Sequence, residues 1–367
     1  MSVDDQTLSK WYINESLKDP LMLQSHALIK KRICIMGACG QMGSHIVTKL
    51  YELGLPSSSL MLNDCLSLGS ASNLPRILRE SVNSQSHKQF VETTEHTPDI
   101  LLFLGGRSSA SHFSSVQDVI EEIVSWGSIL EWCSSHNIRL VLASTSSLCK
   151  ARPSLENEPV WPGSLYELAK LTMENMAIEY SLTRNLKVQI CRLFSVYGIT
   201  EKHKGKLGNL YTQLLWHAKD DTNFEVWGRK GEFEPGEQTR DTIFATEAAR
   251  AVLHLLTIPT PQPSIGDISS VIYNIGQGRP VALNEMVKQV SNLLGKEIKI
   301  SYKEVPEDYK NYVVHTWGSP AKLLETGFQP IFINHTQNLR FINYSLDNID
   351  EYWSTVEKIR ANALTQH

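Results

Sequence analysis

Between Arg32 and Tyr51 the chain passes from a short apolar run into three glycines and then into a helical pattern. Ile33 to Met36 are continuously apolar, as in a strand buried on both faces. Gly37, Gly40 and Gly43 follow at once, and the stretch through Leu50 and Tyr51 has amphipathic spacing. Glycines here permit a tight turn, let backbone N–H groups approach a pyrophosphate, and let helix and strand pack closely. A second apolar run from Ser59 ends in Asp64, about twenty residues past the last glycine, where a carboxylate can meet a ribose hydroxyl. Together these features predict a dinucleotide-binding unit whose contacts are Gly37, Gly40, Gln41, Met42, Gly43 and Asp64.

From Lys31 onward apolar runs alternate with helical patterns, which predicts a Rossmann-like, doubly wound parallel sheet with helices on both faces. The candidate strands are 32–36, 59–63, 99–104, 138–144 and 187–193. The candidate helices are about 42–53, 113–135, 164–181 and 284–294, with Gly295 as the last one's stop signal. Gly105 and Gly106 follow the third run, where small residues let a loop lie against a cofactor. After about residue 195 the pattern changes, and polar stretches at 199–208 and 228–240 read as long functional loops. The expected organisation is an N-terminal extension (1–30), a nucleotide-binding domain (31–195 plus about 241–275) and a smaller C-terminal α/β substrate lobe (about 196–240 plus 276–367). In the extension, Leu8, Trp11, Tyr12, Leu17, Leu21 and Leu23 suit a helix packed on the body and interrupted by Pro20, but no chemistry is visible there and a bland extension is the leading reading.

Tyr166 and Lys170 lie four residues apart, so on a helix both project from one face. A free phenol titrates near ~10 and is a poor base at neutral pH. A nearby ammonium stabilises the phenolate, so the pair suits a tyrosine that takes a proton from a substrate hydroxyl. About twenty residues upstream, the apolar run Val141, Leu142 and Ala143 ends in Ser144 and Thr145. A hydroxyl there can bind the same substrate oxygen. Glycine turn, acid, hydroxyl strand and Tyr-Lys helix, in that order, point to a dinucleotide enzyme with Tyr166 as its base.

Composition narrows the setting. A formal charge of −4 and the lack of any basic cluster give no reason to expect nucleic acid. No apolar stretch approaches the ~20 residues of a membrane span. The N-terminus carries Asp4 and Asp5 where a signal peptide has basic residues. The six cysteines show no disulfide or metal-ligand spacing, so a reducing cytoplasm and no metal are expected.

On these residues the chain resembles the extended short-chain dehydrogenase/reductases, in their nucleotide-sugar epimerase/dehydratase branch, over roughly 31–345. The likeness includes the run Arg192 to Gly198, Gln238 to Asp241, and Tyr273 to Gly278. It implies NAD or NADP as cofactor, a nucleoside-diphosphate sugar as substrate, and a homodimer or higher homo-oligomer. In that family an arginine like Arg240 grips the diphosphate, as suits a guanidinium fork; a surface ion pair with Asp241 or Glu237 is the alternative. Within the branch, Tyr197 to Gly205 is similar to the ADP-glyceromannoheptose 6-epimerases, with Glu201, His203, Lys204 and Gly205 at matching spacing. There the lysine equivalent to Lys204 is implicated as a second acid/base; a solvated or phosphate-binding lysine is the other reading. Val305 to Lys310, His315 and Thr316, and Lys322 to Phe328 extend the likeness.

The substrate contacts implied are Ser144, Ser195, His203, Lys204 and Arg240; the catalytic residues are Thr145, Tyr166, Lys170 and Lys204. Asp64 favours NAD, although the heptose epimerases use NADP despite an acid there.

The chain also departs from the family. Cys149-Lys150 replaces a Tyr-Gly pair, Ser195 stands where asparagine is usual, and Trp317-Gly318 interrupts an expected acidic position. Ser147 replaces the carboxylate of related dehydratases and decarboxylases, so those reactions are poorly equipped. Epimerisation leads, ahead of a simple reductase or dehydrogenase and of a catalytically silent dinucleotide-binding protein.

Overall fold

Each apolar run that alternates with a helix becomes a strand of one sheet in the computed structural model, which describes residues 5–24, 26–305 and 313–366. In chain order the strands are β1 (Ile33–Met36), β2 (Leu60–Asn63), β3 (Val82–Asn83), β4 (Ile100–Phe103), β5 (Arg139–Thr145) and β6 (Val188–Leu193). They continue with β7 (Ser195–Tyr197), β8 (Phe224–Trp227), β9 (Thr239–Phe244), β10 (Ile272–Ile275), β11 (Pro280–Ala282) and β12 (Ile300–Lys303). The main sheet has the order β10-β6-β5-β4-β1-β2-β3, and every pairing in it is parallel. The chain winds outward from β1 to β3, then crosses back to place β4 on the other side of β1. That reversal leaves a crevice at the carboxyl ends of β1 and β4, where open α/β sheets bind ligands.

Alternate residues of each strand feed opposite layers. Ile33, Ile35 and Val141 join one cluster with Ile46 and Leu50 of the helix Gln41–Glu52 and with Val252 and Leu255 of the helix Ala245–Thr257. Cys34, Met36, Leu140 and Leu142 join the other, with Trp126 of the helix Val116–Ser135 and Met173 of the helix Leu165–Arg184. The smaller lobe holds a three-stranded sheet β11-β9-β7 and a two-stranded sheet β12-β8. The segment 306–312, into which most of the resembling run Val305 to Lys310 falls, lies outside the described residues.

The segment ahead of β1 is built into the body. Pro20 opens the helix Pro20–Gln24 rather than breaking a longer one, the position where its missing N–H costs least. Tyr12, in the helix Asp5–Leu17, is buried and stacks on Phe341 with ring centroids 4.4 Å apart. The two C-terminal helices, His335–Asp347 and Ile349–Gln366, pack on this segment and on the helix Gln41–Glu52. The helix Ile349–Gln366 thus meets the helix Gln41–Glu52, while His335–Asp347 also packs on the helix Leu283–Leu294.

A buried ion network closes this contact. Asp19 accepts from Arg250 Nε and Nη2, both at 2.8 Å, and lies 3.2 Å from Lys49 Nζ. Lys49 also pairs with Glu52, and Arg250 with Glu247. Burial pushes the Asp19 carboxyl up, but Lys49 and Arg250 outweigh it and hold it at about 2. We expect Asp19→Ala, which leaves buried cations under-compensated, to lose about 3–5 kcal/mol in urea unfolding. Because the folded value lies below the ordinary ~3.9 of an aspartate, this stabilisation is present above about pH 4 and fades as pH falls toward 2. The variant should lack that acid-labile component; equal stability of the two proteins at neutral pH would contradict the account.

Candidate active site

The turn after β1 is shaped by two contacts that only glycine tolerates. Gly37 has φ +82°, and a β-carbon there would meet Gly105 Cα at 2.6 Å. A β-carbon on Gly43 would lie 1.9 Å from the Gly37 carbonyl oxygen. The helix Gln41–Glu52 can therefore start directly beneath β1, with Gly40 as a cap that contributes no side chain. Its first-turn N–H groups lack intrahelical partners by geometry and carry the positive end of the helix dipole. Gly37, Gly40, Gln41, Met42 and Gly43 line a cleft of about 810 Å³. A dinucleotide's pyrophosphate fits this cradle.

Asp64, Gly105 and Gly106 line the same cleft. Asp64 is buried, and its two carboxylate oxygens accept from Cys39 N and Leu66 N, each at 2.8 Å. The acid thus braces the glycine turn as well as facing the ligand space. A wall unforeseen from sequence stands beside it: His87 Nδ1 is 2.6 Å from Asn63 Oδ1, and its Nε2 is 3.1 Å from Gly105 O. Burial lowers the His87 pKa, while the Gly105 carbonyl and the charges of Asp64 and Glu122 oppose that, and the ring bridges Asn63 and the Gly105 loop as a strut.

The Tyr-Lys helix, Leu165–Arg184, begins at Ser164, whose hydroxyl accepts from Glu167 N, and ends at Asn185 in the left-handed region. A buried bidentate pair, Arg192 of β6 with Glu174 of the helix, fixes it to the sheet at 3.1 and 2.8 Å. Tyr166, Lys170, Ser144 and Thr145 all line the cleft. Thr145 Oγ1 accepts from Ser147 N, forming the turn after β5. Ser144 Oγ is buried with no protein partner, an unspent hydroxyl at the site.

The electrostatics differ from the expected pairing. Burial pushes the Tyr166 phenol up to about 12; a hydrogen bond with Thr145 pulls the other way, and the charges of Glu167 and Glu122 add to the rise. Lys170 is 3.7 Å from Glu122, a carboxylate on the helix Val116–Ser135 that sequence reasoning missed. The only sequence signal for Glu122 is an acidic pair, Glu121-Glu122, within an apolar helix. Burial lowers the Lys170 pKa, and Glu122 opposes that.

The second lobe supplies the opposite wall. Ser195, His203, Lys204 and Arg240 line the cleft, and a second hollow of about 350 Å³ adjoins it, lined by Lys204, Trp227, Arg240 and Leu283. Lys204 Nζ donates to Gln41 Oε1 at 2.7 Å, which ties this lobe to the glycine turn. Burial lowers the Lys204 pKa, while Glu201 works against it. His203 Nδ1 faces Asn73 Nδ2 at 3.0 Å; the amide can only donate, so this nitrogen accepts. Ser195 Oγ accepts from Asn209 Nδ2 at 2.9 Å, which brings an asparagine amide to the place where the sequence lacks one. Arg240 Nη1 donates to Thr239 O, while Asp241 is held by the N–H groups of Gln277, Gly278 and Gly318.

The departures take structural roles. The Cys149 thiol is buried, which pushes its pKa up to about 12, and it faces Asn274. Lys150 pairs with Glu167 at 3.0 Å at the rim. A β-carbon on Gly318 would strike the Phe194 ring at 2.3 Å.

A profile of the NAD dependent epimerase/dehydratase family matches residues 33–276. The chain is 28% identical over 317 residues to Protein CapI of Staphylococcus aureus, covering 76% of this chain and 90% of that one. It is 23% identical over 302 residues to the ADP-L-glycero-D-manno-heptose-6-epimerase of Alkalilimnicola ehrlichii, covering 80% and 91%. The Thermus thermophilus UDP-glucose 4-epimerase, solved in complex with NAD, superposes with a TM-score of 0.75 at 22% identity, covering 86% and 99%. At that identity the likeness is one of fold.

Cys65 is the one exposed cysteine of six and lines the cleft beside Asp64. A thiol reagent should label one cysteine per native chain and all six after denaturation, and NAD should slow the native reaction. Labelling of Cys65 that is indifferent to NAD at saturating concentrations would place the cofactor elsewhere.

Proposed function

Because this chain belongs to the NAD dependent epimerase/dehydratase family, we propose that it inverts one carbon of a nucleoside-diphosphate sugar, of the ADP-heptose kind. The route is transient oxidation to a keto-sugar and re-reduction on the opposite face. The observation that carries this reading is the convergence of Thr145, Tyr166 and Lys170 on the cleft of the glycine turn, with Lys204 and Arg240 on its far wall. The adjoining hollow toward Trp227 offers room for the nucleotide end of such a substrate.

Bound NAD(P) would supply a reversible hydride acceptor and, when oxidised, positive charge to the site. Gly37, Gly40, Gln41, Met42 and Gly43 would hold its pyrophosphate, Gly105 and Gly106 would let it lie close, and Asp64 would meet its ribose, which favours NAD over NADP. Tyr166 takes the proton of the reacting hydroxyl and gives it up to solvent after turnover, when Lys204 regains from solvent the proton that it supplies on the opposite face. With burial holding the phenol at about 12, positive charge is what brings it into range. Lys170 contributes from one helical turn away. Thr145 and Ser144 orient the hydroxyl, and Arg240 grips the diphosphate in a charge-assisted fork. Ser195 and His203 border the sugar. Lys204, its ammonium destabilised by burial, donates a proton on the opposite face.

The exposed apolar stripe Val116, Ile120 and Val124 on one face of the helix Val116–Ser135 supports a homodimer or higher homo-oligomer. The unpaired cysteines suit the cytoplasm.

Two variants test the mechanism against a panel of nucleoside-diphosphate sugars. Tyr166→Phe should keep cofactor and lose turnover by about 10²-fold or more, the scale of a positioned acid/base; retention of a tenth of wild-type activity removes Tyr166 as the base. Lys204→Met should cut inversion by a similar factor while keto-sugar still forms, as NMR would resolve. Equal loss of both steps assigns Lys204 to holding Gln41 or phosphate instead.

A further inference from the structure

Three acids open the helix Val116–Ser135, and the structure divides their work. Asp118 and Glu121 face outward and pair with the Arg107 guanidinium at 3.4 and 3.0 Å. Glu122 turns inward. Its Oε1 accepts from the Arg107 backbone N at 3.1 Å and lies 3.7 Å from Lys170 Nζ. The side chains of the pair are 12% and 6% exposed, so little water screens their attraction. Gly106 roofs them closely: a β-carbon there would lie 2.4 Å from Glu122 Oε1 and 2.6 Å from Lys170 Nζ. The loop that borders the cleft thus rests on the ion pair, and a side chain at Gly106 would make one of its two members shift.

We infer that Glu122 is a positioning residue for the Tyr166–Lys170 couple: its carboxylate is the counter-ion that anchors the Lys170 ammonium beneath Gly106. The inference deepens the proposed epimerase reading and rests on it only for the use to which the couple is put. A buried ammonium with no counter-ion sheds its proton readily. The carboxylate therefore keeps Lys170 charged, and the same negative charge disfavours phenolate at Tyr166. Burial is the larger influence on each group, and Glu122 acts on both, with Glu167 also acting on Tyr166. The other groups around the couple are Glu167 and its partner Lys150, Arg107, and His112 and His87, which face Glu122 across the cleft wall. Of these, Glu122 alone makes a direct ion pair with Lys170 among the described residues.

Replacing Glu122 by glutamine separates charge from structure, because the amide oxygen can still accept from Arg107 N. The test is the pH titration of the Lys170 Cε resonance in protein carrying [13C]lysine, assigned by its loss in Lys170→Met. In Glu122→Gln the midpoint should fall by about one pH unit or more, the scale of an opposite charge at this distance. In Glu122→Asp it should stay near wild type. Where turnover is measurable, both limbs of the pH–rate profile should move to lower pH in Glu122→Gln, whereas a merely structural acid would change only the amplitude. An unmoved Lys170 midpoint in Glu122→Gln overturns the inference. Should that variant not fold, Glu122→Ala takes its place in the same titration, and an unmoved Lys170 midpoint there overturns the inference. A wild-type protein that turns over no sugar in the panel would defeat the epimerase reading and leave the lysine titration to judge the pair.

Discussion

The carbonyl oxygen of Gly37 occupies the space that a side chain at Gly43 would need, and Gly37 itself touches Gly105 across the sheet. Both contacts put the end of β1, the start of the following helix and the loop after β4 within van der Waals reach. The crevice between β1 and β4 can then be narrow at its floor and open above, with a helix N-terminus facing into it. Asp64 braces the turn from β2 through Cys39 N, and Lys204 braces it from the second lobe through Gln41. Loss of this close packing would misplace everything that converges on the cleft.

Charge is the second constraint. The interior contains several ionised side chains, and their pairing separates support from chemistry. Asp19, Lys49, Glu52, Glu247 and Arg250 satisfy one another behind the sheet, and Arg192 with Glu174 fixes the Tyr-Lys helix. Around the cleft the matching is looser. Tyr166 is raised to about 12 and Lys170 and Lys204 are lowered, so each sits away from its ordinary value in the direction set by burial. Perturbed groups collected in one cleft are a mark of function.

The sequence made the sheet legible because parallel strands covered on both faces read as unbroken apolar runs: Ile33–Met36, Ile100–Phe103 and Val188–Leu193 stand within a residue or so of where their runs were seen. The glycine turn and the Tyr-Lys helix were legible because their spacing is itself the geometry. β3, with two residues, and β7 and β11, with three, are too short to show a period. The burial of Tyr12 and Asp19 depends on partners more than two hundred residues away, Arg250 and Phe341 among them, which no local pattern discloses. Glu122 was hidden for a related reason: helical spacing tells which residues share a face, not that one acid will meet a lysine from the neighbouring helix.

The central claim is that the cleft oxidises a sugar and reduces it again at the same carbon without releasing the cofactor. The direct measurement follows nucleotide-sugar composition by NMR, and the absorbance of reduced nicotinamide, in one reaction with purified protein. The account predicts an inverted sugar accumulating to equilibrium with no net change in reduced nicotinamide. Stoichiometric appearance or loss of reduced nicotinamide together with an oxidised or reduced product would contradict it.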